Sequence, residues 1–149
     1  MALDDHIRIL SGVKLFAGFT REQLRLLAFG AEAMRLQSGK KLYREEDDAD
    51  SAYIVTRGRI GLFREHDGQR MEVGTADPGS VLGEMALIAD ARRLTSAEAT
   101  TDAEVLRINR SMFRRILEEY PETAEALRNQ IIDDLQALIR RIEQVSERL

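Results

Sequence analysis

Cysteine is absent from this 149-residue chain, and histidine occurs only as His6 and His66. The first absence excludes disulfides and thiolate metal centres and leaves the redox compartment open. The scarcity of histidine excludes a histidine-rich metal site, and a Ser-His-Asp triad would have to draw on one of these two residues. His66 stands beside Asp67-Gly68, a turn signal, and reads as an exposed loop residue; His6 lies in a short N-terminal helical stretch and reads the same way. No nucleophile, base and orienting group can be assembled, so the expectation is a protein that is not an enzyme.

Long apolar runs are missing as well. Nothing approaches the length of a membrane span. The opening Met1-Ala2-Leu3-Asp4-Asp5 is acidic and has neither the basic nor the apolar part of a signal peptide. The expectations are a cytoplasmic protein and no membrane contact. Basic excess is also lacking: 22 Lys and Arg face 26 Asp and Glu, for a net charge of −4. A general nucleic-acid surface needs clustered Lys and Arg, so none is expected here, although one small basic pocket remains open to an anion. What the chain does have is 44% hydrophobic residues. That is enough for one core in a single domain over 1–149.

Periodicity divides the chain in three. Residues 1–30 read as helix, with Thr20 and Gln23 in capping-box spacing, Leu24, Leu27 and Ala28 on one face, and Gly30 as a stop. Residues 31–109 read as short strands and turns. Ile60, Leu62 and Arg64 alternate with Gly61, Phe63 and Glu65, Ala52-Tyr53-Ile54-Val55 is a more buried run, and Asp67-Gly68 marks a hairpin. Turns at Ser38-Gly39, Arg57-Gly58 and Asp77-Pro78-Gly79 complete the signature of a small barrel or jelly roll. Residues 110–149 return to helix. Met112, Phe113, Ile116 and Leu117 share a face, Pro121 interrupts, and Ile131, Leu135, Leu138, Ile142, Val145 and Leu149 follow at spacings of 4, 3, 4, 3 and 4. That heptad seam, widened by Ile132 and Ile139, predicts a parallel homodimer through 124–149, with packing on the chain's own barrel as the alternative.

One segment breaks the strand pattern. Gly83-Glu84-Met85-Ala86-Leu87-Ile88 reads as a turn of helix inside the β region. Gly83 allows close backbone approach, and the N–H groups that open a helix are unpaired and anion-facing. Nine residues beyond Glu84 stands Arg93, next to Arg92. A guanidinium grips two phosphate oxygens at once, and a carboxylate accepts from sugar hydroxyls or holds the arginine. Together these describe a site for a sugar phosphate. Taken alone, the same residues also fit surface salt bridges.

The string GEMALIADARRLTSAEA, residues 83–99, resembles the phosphate-binding cassette of the cyclic-nucleotide-binding domain family. LYREEDDADSAYIVTRGRIGLF resembles the family's second to fourth strands, and EVLRINRSMFRRIL its last strand and following helix. EEYPETAEALRNQIIDDLQ resembles the start of the C-terminal helix in bacterial members related to the catabolite activator protein. The likeness runs in consistent order from about residue 15 to 145. It implies an α+β fold: a cyclic-nucleotide-binding β-roll, jelly-roll-like, flanked by N-terminal helices and a long C-terminal helix, with the cassette at 83–97. It further implies that Gly83 and the N–H groups of Glu84, Met85 and Ala86 line the cyclic phosphate, that Glu84 takes the ribose 2′-hydroxyl, and that Arg93 pairs with the phosphate. Leu62, Val73 and Leu82 would pack on base or ribose. Arg93 is preferred to Arg92 because Ala99 stands six residues after it, as the family's spacing requires.

The departures matter too. Glu46 stands where the family carries a Gly. Leu94 replaces the small or hydroxyl residue after the arginine; Leu94, through its backbone N–H, and Thr95 stay among the expected ligand-binding residues, although the Thr95 side chain is expected on the opposite side from that of Leu94. A Thr at the Leu94 position favours guanine in the family, so the expected ligand is cAMP ahead of cGMP, with no other cofactor. Leu138 and Ile139 align with residues that place hydroxyls against adenine, and Asp134 aligns with an Arg; an Asp facing Glu84 would repel it. Three readings compete with one another. The first is a cyclic-nucleotide sensor that signals through its C-terminal helices. The others are a structural or dimerisation domain with a degraded site, and the sensory half of a DNA-binding transcription regulator.

Overall fold

A computed structural model describes residues 2–147. The N-terminal helical stretch is broken, not continuous: α1 (Ala2–Ser11), a 3₁₀ turn at Lys14–Phe16 and α2 (Arg21–Gly30). The Thr20–Gln23 capping box forms with both of its hydrogen bonds, so the start of α2 is written locally. Ten strands follow: β1 (Glu32–Leu36), β2 (Lys41–Tyr43), β3 (Asp48–Ala49), β4 (Ser51–Arg57), β5 (Ile60–His66), β6 (Gln69–Ala76), β7 (Val81–Leu82), β8 (Ala91–Arg92), β9 (Ser96–Ala99) and β10 (Ala103–Asn109). A 3₁₀ turn at Glu84–Leu87 interrupts them, and α3 (Arg110–Glu119) and α4 (Pro121–Glu147) close the described chain. Asn109 caps α3 by accepting from the Met112 N–H, and Pro121 sits at the first position of α4, where a missing N–H costs nothing.

Every strand pair is antiparallel. One sheet has the order β1-β10-β4-β7, a second β2-β9-β5-β6, and a short β3-β8 ribbon joins them. The β-roll encloses an interior core of Leu36, Tyr53, Val55, Ile60, Leu62, Val73, Leu82 and Val105. Helices cover the other face of the first sheet, where Ala52, Ile54, Leu106 and Ile108 meet Leu10, Leu27, Phe113 and Ile131. Strand β4 thus separates two cores, with alternate side chains in each, which is why its run is apolar on both faces.

The alternation expected in β5 is masked: Ile60, Gly61, Leu62 and Phe63 are all buried. Phe63 does point out of the roll, but the Arg70 guanidinium lies 3.6 Å over its ring and Lys41 approaches from 5.8 Å. The cations cover the ring, so burial does not follow the pleat. Asp67 and Gly68 both take positive φ, 50° and 78°, as a two-residue hairpin between β5 and β6 requires.

The heptad seam packs on the chain's own roll. Leu127 and Ile131 join the helical core, Ile142 and Leu138 the interior core, and Leu135 the cavity between them. Leu149 lies outside the described residues. The reason is geometric: α4 lies along the roll, and its apolar stripe meets the barrel first. What stays exposed is Ile132, at 37%, and Ile139, at 38%, one heptad apart on another face.

Candidate functional site

Strand β7 runs into Gly83, which takes φ 70° and ψ 32° and turns the chain into the Glu84–Leu87 3₁₀ turn. This left-handed conformation is open to glycine at little cost. Ala86 and Leu87 are buried and anchor the turn, which leaves its N-terminal end on a cavity of about 370 Å³. The Ala86 N–H is already committed, since it donates to the Gly83 carbonyl at 3.1 Å. Of the three N–H groups assigned to the phosphate, those of Glu84 and Met85 stand at the open end of the turn.

Arg93 sits opposite. It is 6% exposed, whereas the Arg92 side chain is 70% exposed and points to Asp48 at 3.9 Å. The Arg93 Nη2 donates to the Ser51 carbonyl at 2.8 Å, and its Nη1 occupies the space that a Cβ at Gly83 would fill. The Nε and Nη1 atoms are buried and have no hydrogen-bond partner. Nη1 lies on the Cδ side of the guanidinium and the Nε–H points to the Nη2 side, so these are two separate unspent donors, each open to an oxygen of an anion. A buried, half-satisfied cation of this kind is costly unless a ligand completes it.

The backbone of Arg93 is fixed by the Arg44–Asp47 turn. Glu46 donates its N–H to the Arg93 carbonyl at 2.8 Å, and the Arg93 N–H donates to the Asp47 carbonyl at 2.9 Å. Glu46 itself holds φ 74°, which accounts for the glycine the family carries there.

Glu84 lines the same cavity. Its carboxyl is pushed up to about 7, first by burial and then by Asp134 of α4; its own backbone N–H and the Arg141 guanidinium oppose the rise. The repulsion expected between Asp134 and Glu84 is therefore present. Asp134 accepts from the Gln130 side-chain amide at 2.9 Å. Arg141 lies over Gly74 of β6, its Nη1 3.1 Å from where a Cβ would stand.

The structure brings Leu62, Leu82, Gly83, Glu84, Met85, Ala86, Arg93, Leu94 and Thr95 to one cavity, with Asp134, Leu135, Leu138 and Arg141 of α4 as its other wall. Val73 does not line it. Its side chain packs in the interior core beside Leu62 and Leu82. Thr95 is the buried member of the Leu94–Thr95 pair, at 3%. Leu138 lines the cavity while Ile139 faces away, so the two residues aligned with the adenine contacts part company. Tyr43, Tyr53 and Ser51 surround the Arg93 guanidinium and were not singled out from the sequence. The period of β4 gives the face of Tyr53 but not its meeting with Arg93, and Ser51 acts through its carbonyl, which side-chain alternation does not describe.

Among the described residues, no three His, Cys, Asp or Glu side chains gather where a metal ion could be held. No helix of the described residues is long and apolar enough to cross a membrane.

Residues 33–120 match the family model described as the cyclic nucleotide-binding domain. A cyclic nucleotide-binding-like protein from Brucella abortus is 57% identical, with a TM-score of 0.71, over 77% of this chain and 99% of that one. The N-terminal domain of a transcriptional regulator from Streptomyces coelicolor is 28% identical, with a TM-score of 0.76, over 87% of this chain and 93% of that one. The cyclic AMP receptor protein of Thermus thermophilus is 29% identical over 119 residues, 79% of this chain; the chain spans 55% of that relative's length. With a family model covering more than half the chain, and with the β-roll and long C-terminal helix of these neighbours, the chain belongs to the cyclic nucleotide-binding domain family.

Proposed function

We propose that the chain is a sensor for a cyclic nucleotide, cAMP in the first instance, that binds at 83–97 and signals through the helices from Arg110 onward. The observation that carries this reading is the Arg93 guanidinium, whose Nε and Nη1 donors are buried and unpartnered, with Nη1 set against Gly83. The cyclic phosphate supplies acceptor oxygens for donors that otherwise have none. Glu84 takes the ribose 2′-hydroxyl, and Leu62, Leu82 and Leu138 receive base and ribose. A volume of about 370 Å³ falls within the common range of roughly 300–1,000 Å³ for small-molecule sites. The name of the Thermus thermophilus relative supports cAMP.

The ligand touches both the cassette and α4, so it favours the arrangement in which they approach, a shift in population between two states. No catalytic step is assigned to the chain, and with a net charge of −4 it is read as making no nucleic-acid contact of its own. The domain plan is 1–149 as one unit, with 31–109 as the β-roll, in a cytoplasmic protein that pairs through α4. Calorimetry and thermal shift with cAMP and cGMP test the reading. Silence with both at millimolar concentration would falsify it.

A second reading has its own support. The Streptomyces coelicolor neighbour is the N-terminal domain of a transcriptional regulator, and the chain spans 55% of the Thermus thermophilus relative. The chain would then be the sensory part of a regulator whose output lies in a further domain.

A further inference from the structure

We infer that Tyr43 and Tyr53 are positioning residues: their rings hold the Arg93 guanidinium over Gly83 as an uncompensated cation, so that an incoming anion meets no competing carboxylate. This rests on the anion-binding reading of the cavity given above. The Arg93 Cζ lies 4.3 Å from the centroid of the Tyr43 ring and 5.5 Å from that of Tyr53. The rings are themselves stacked, 5.9 Å apart with 29° between their planes. One comes from β2 and the other from β4, so two strands that belong to different sheets converge on one side chain.

A free arginine side chain samples many rotamers, and ordering it on binding would weaken a ligand. Here the order is present beforehand. The Ser51 carbonyl takes Nη2, the two rings take the guanidinium face, and the Nε and Nη1 donors are left unspent for a ligand. An aromatic face attracts a cation through its quadrupole and brings no formal charge. A carboxylate in the same place would hold the arginine equally well, but the phosphate would have to displace it. The Tyr43 phenol is pushed up to about 12, chiefly by burial, so it stays neutral beside the cation at ordinary pH.

The test has two arms. In the ligand-free protein, the Arg93 Nε–H proton resonance is expected upfield of the ordinary arginine position, shifted by the ring current, and is expected to return towards it in Tyr43→Leu. In calorimetry with cAMP, Tyr43→Leu is expected to weaken binding about tenfold and Tyr43→Phe by no more than about twofold, since the ring face acts and not the hydroxyl. In an Arg93→Ala background, Tyr43→Leu is expected to add little. Tyr43→Met replaces Tyr43→Leu if the latter melts below the working temperature. An Arg93 resonance at its ordinary position, or a Tyr43→Leu loss of the same size with and without Arg93, overturns the inference. If no nucleotide binds, the sensor reading fails while the resonance arm still decides the position of Arg93.

Discussion

Glu46, held at φ 74°, donates its backbone N–H to the carbonyl of Arg93 at 2.8 Å. A residue with a Cβ is kept in a left-handed conformation by a turn whose job is to seat the anion-facing arginine. The exposed Glu46 side chain gains nothing from its place. Glu46→Gly removes strain of about 1–2 kcal/mol and adds chain entropy to the unfolded state, a net gain of about 1 kcal/mol. The melting temperature is expected to rise by about 2–4 °C. A fall would show that the Glu46 side chain contributes something the structure does not reveal.

Arg93→Ala is expected to weaken cAMP binding by about 2 kcal/mol or more, through loss of the cation that pairs with the phosphate. Arg93→Lys keeps the charge but not the fork and recovers only part of this. Arg92→Ala, at an exposed neighbour, is the control and is expected to lie within about twofold of the parent. Equal losses at 92 and 93 would show that the wrong cation has been placed in the site.

Gly83→Ala meets two obstacles at once. The residue must keep φ 70°, and its methyl would occupy the position of Arg93 Nη1. The strained backbone alone costs about 1–2 kcal/mol. Displacement of the guanidinium should abolish nucleotide binding at concentrations that saturate the parent. Retained binding, read by calorimetry, would remove Gly83 from the cradle.

Glu84 links folding to pH. Its carboxyl rises from 4.5 to about 7, first through burial and then through Asp134. The folded state therefore holds the proton more tightly than the unfolded one. The stability this contributes is complete below about 4.5 and is lost as pH rises through about 7. At roughly 1.4 kcal/mol per pH unit the change is on the order of 3–4 kcal/mol. Denaturant melts between pH 4.5 and 7.5 should show this decline for the parent protein, superimposed on the other titrations. Glu84→Gln should remove it and Asp134→Asn reduce it. A slope unchanged in Glu84→Gln would assign the effect to another group.

Ile132 and Ile139, seven residues apart and both outward, are the stripe through which α4 would pair with a second copy. Ile132→Lys combined with Ile139→Lys should convert a dimer to a monomer in sedimentation, with the melting temperature at low concentration little changed. A parent that sediments as a monomer at tens of micromolar would count against pairing through this face.

The general plan was legible in the sequence because its signals are local. The Thr20–Gln23 box, the Asp67-Gly68 hairpin and the Pro121 break each act over a few residues, and all three occur where their spacing places them. The gathering of Gly83, Glu84 and Arg93 was legible through the resemblance, since spacing alone also fits surface ion pairs. What escaped was long-range. Tyr43 and Tyr53 meet Arg93 only after β2 and β4 fold over β8, and no period along the chain encodes that meeting. The heptad spacing of α4 is as consistent with a barrel wall as with a partner helix, because both demand the same apolar stripe. Which one occupies it depends on where the roll lies. Val73 illustrates the same limit: alternation gives its face, but not that it packs into the interior core without reaching the cavity.

Helix α4 turns Asp134, Leu138 and Arg141 towards the cavity and Ile132 and Ile139 away from it. One rigid rod thus carries an inner wall and an outer seam, and it cannot tilt at one without tilting at the other. Where copies associate through the outer face, reciprocity requires that any factor by which pairing tightens ligand capture reappear unchanged as the factor by which ligand tightens pairing. Apparent affinity would then vary with protein concentration, and a titration repeated at several dilutions would read the size of that exchange without any mutation at all.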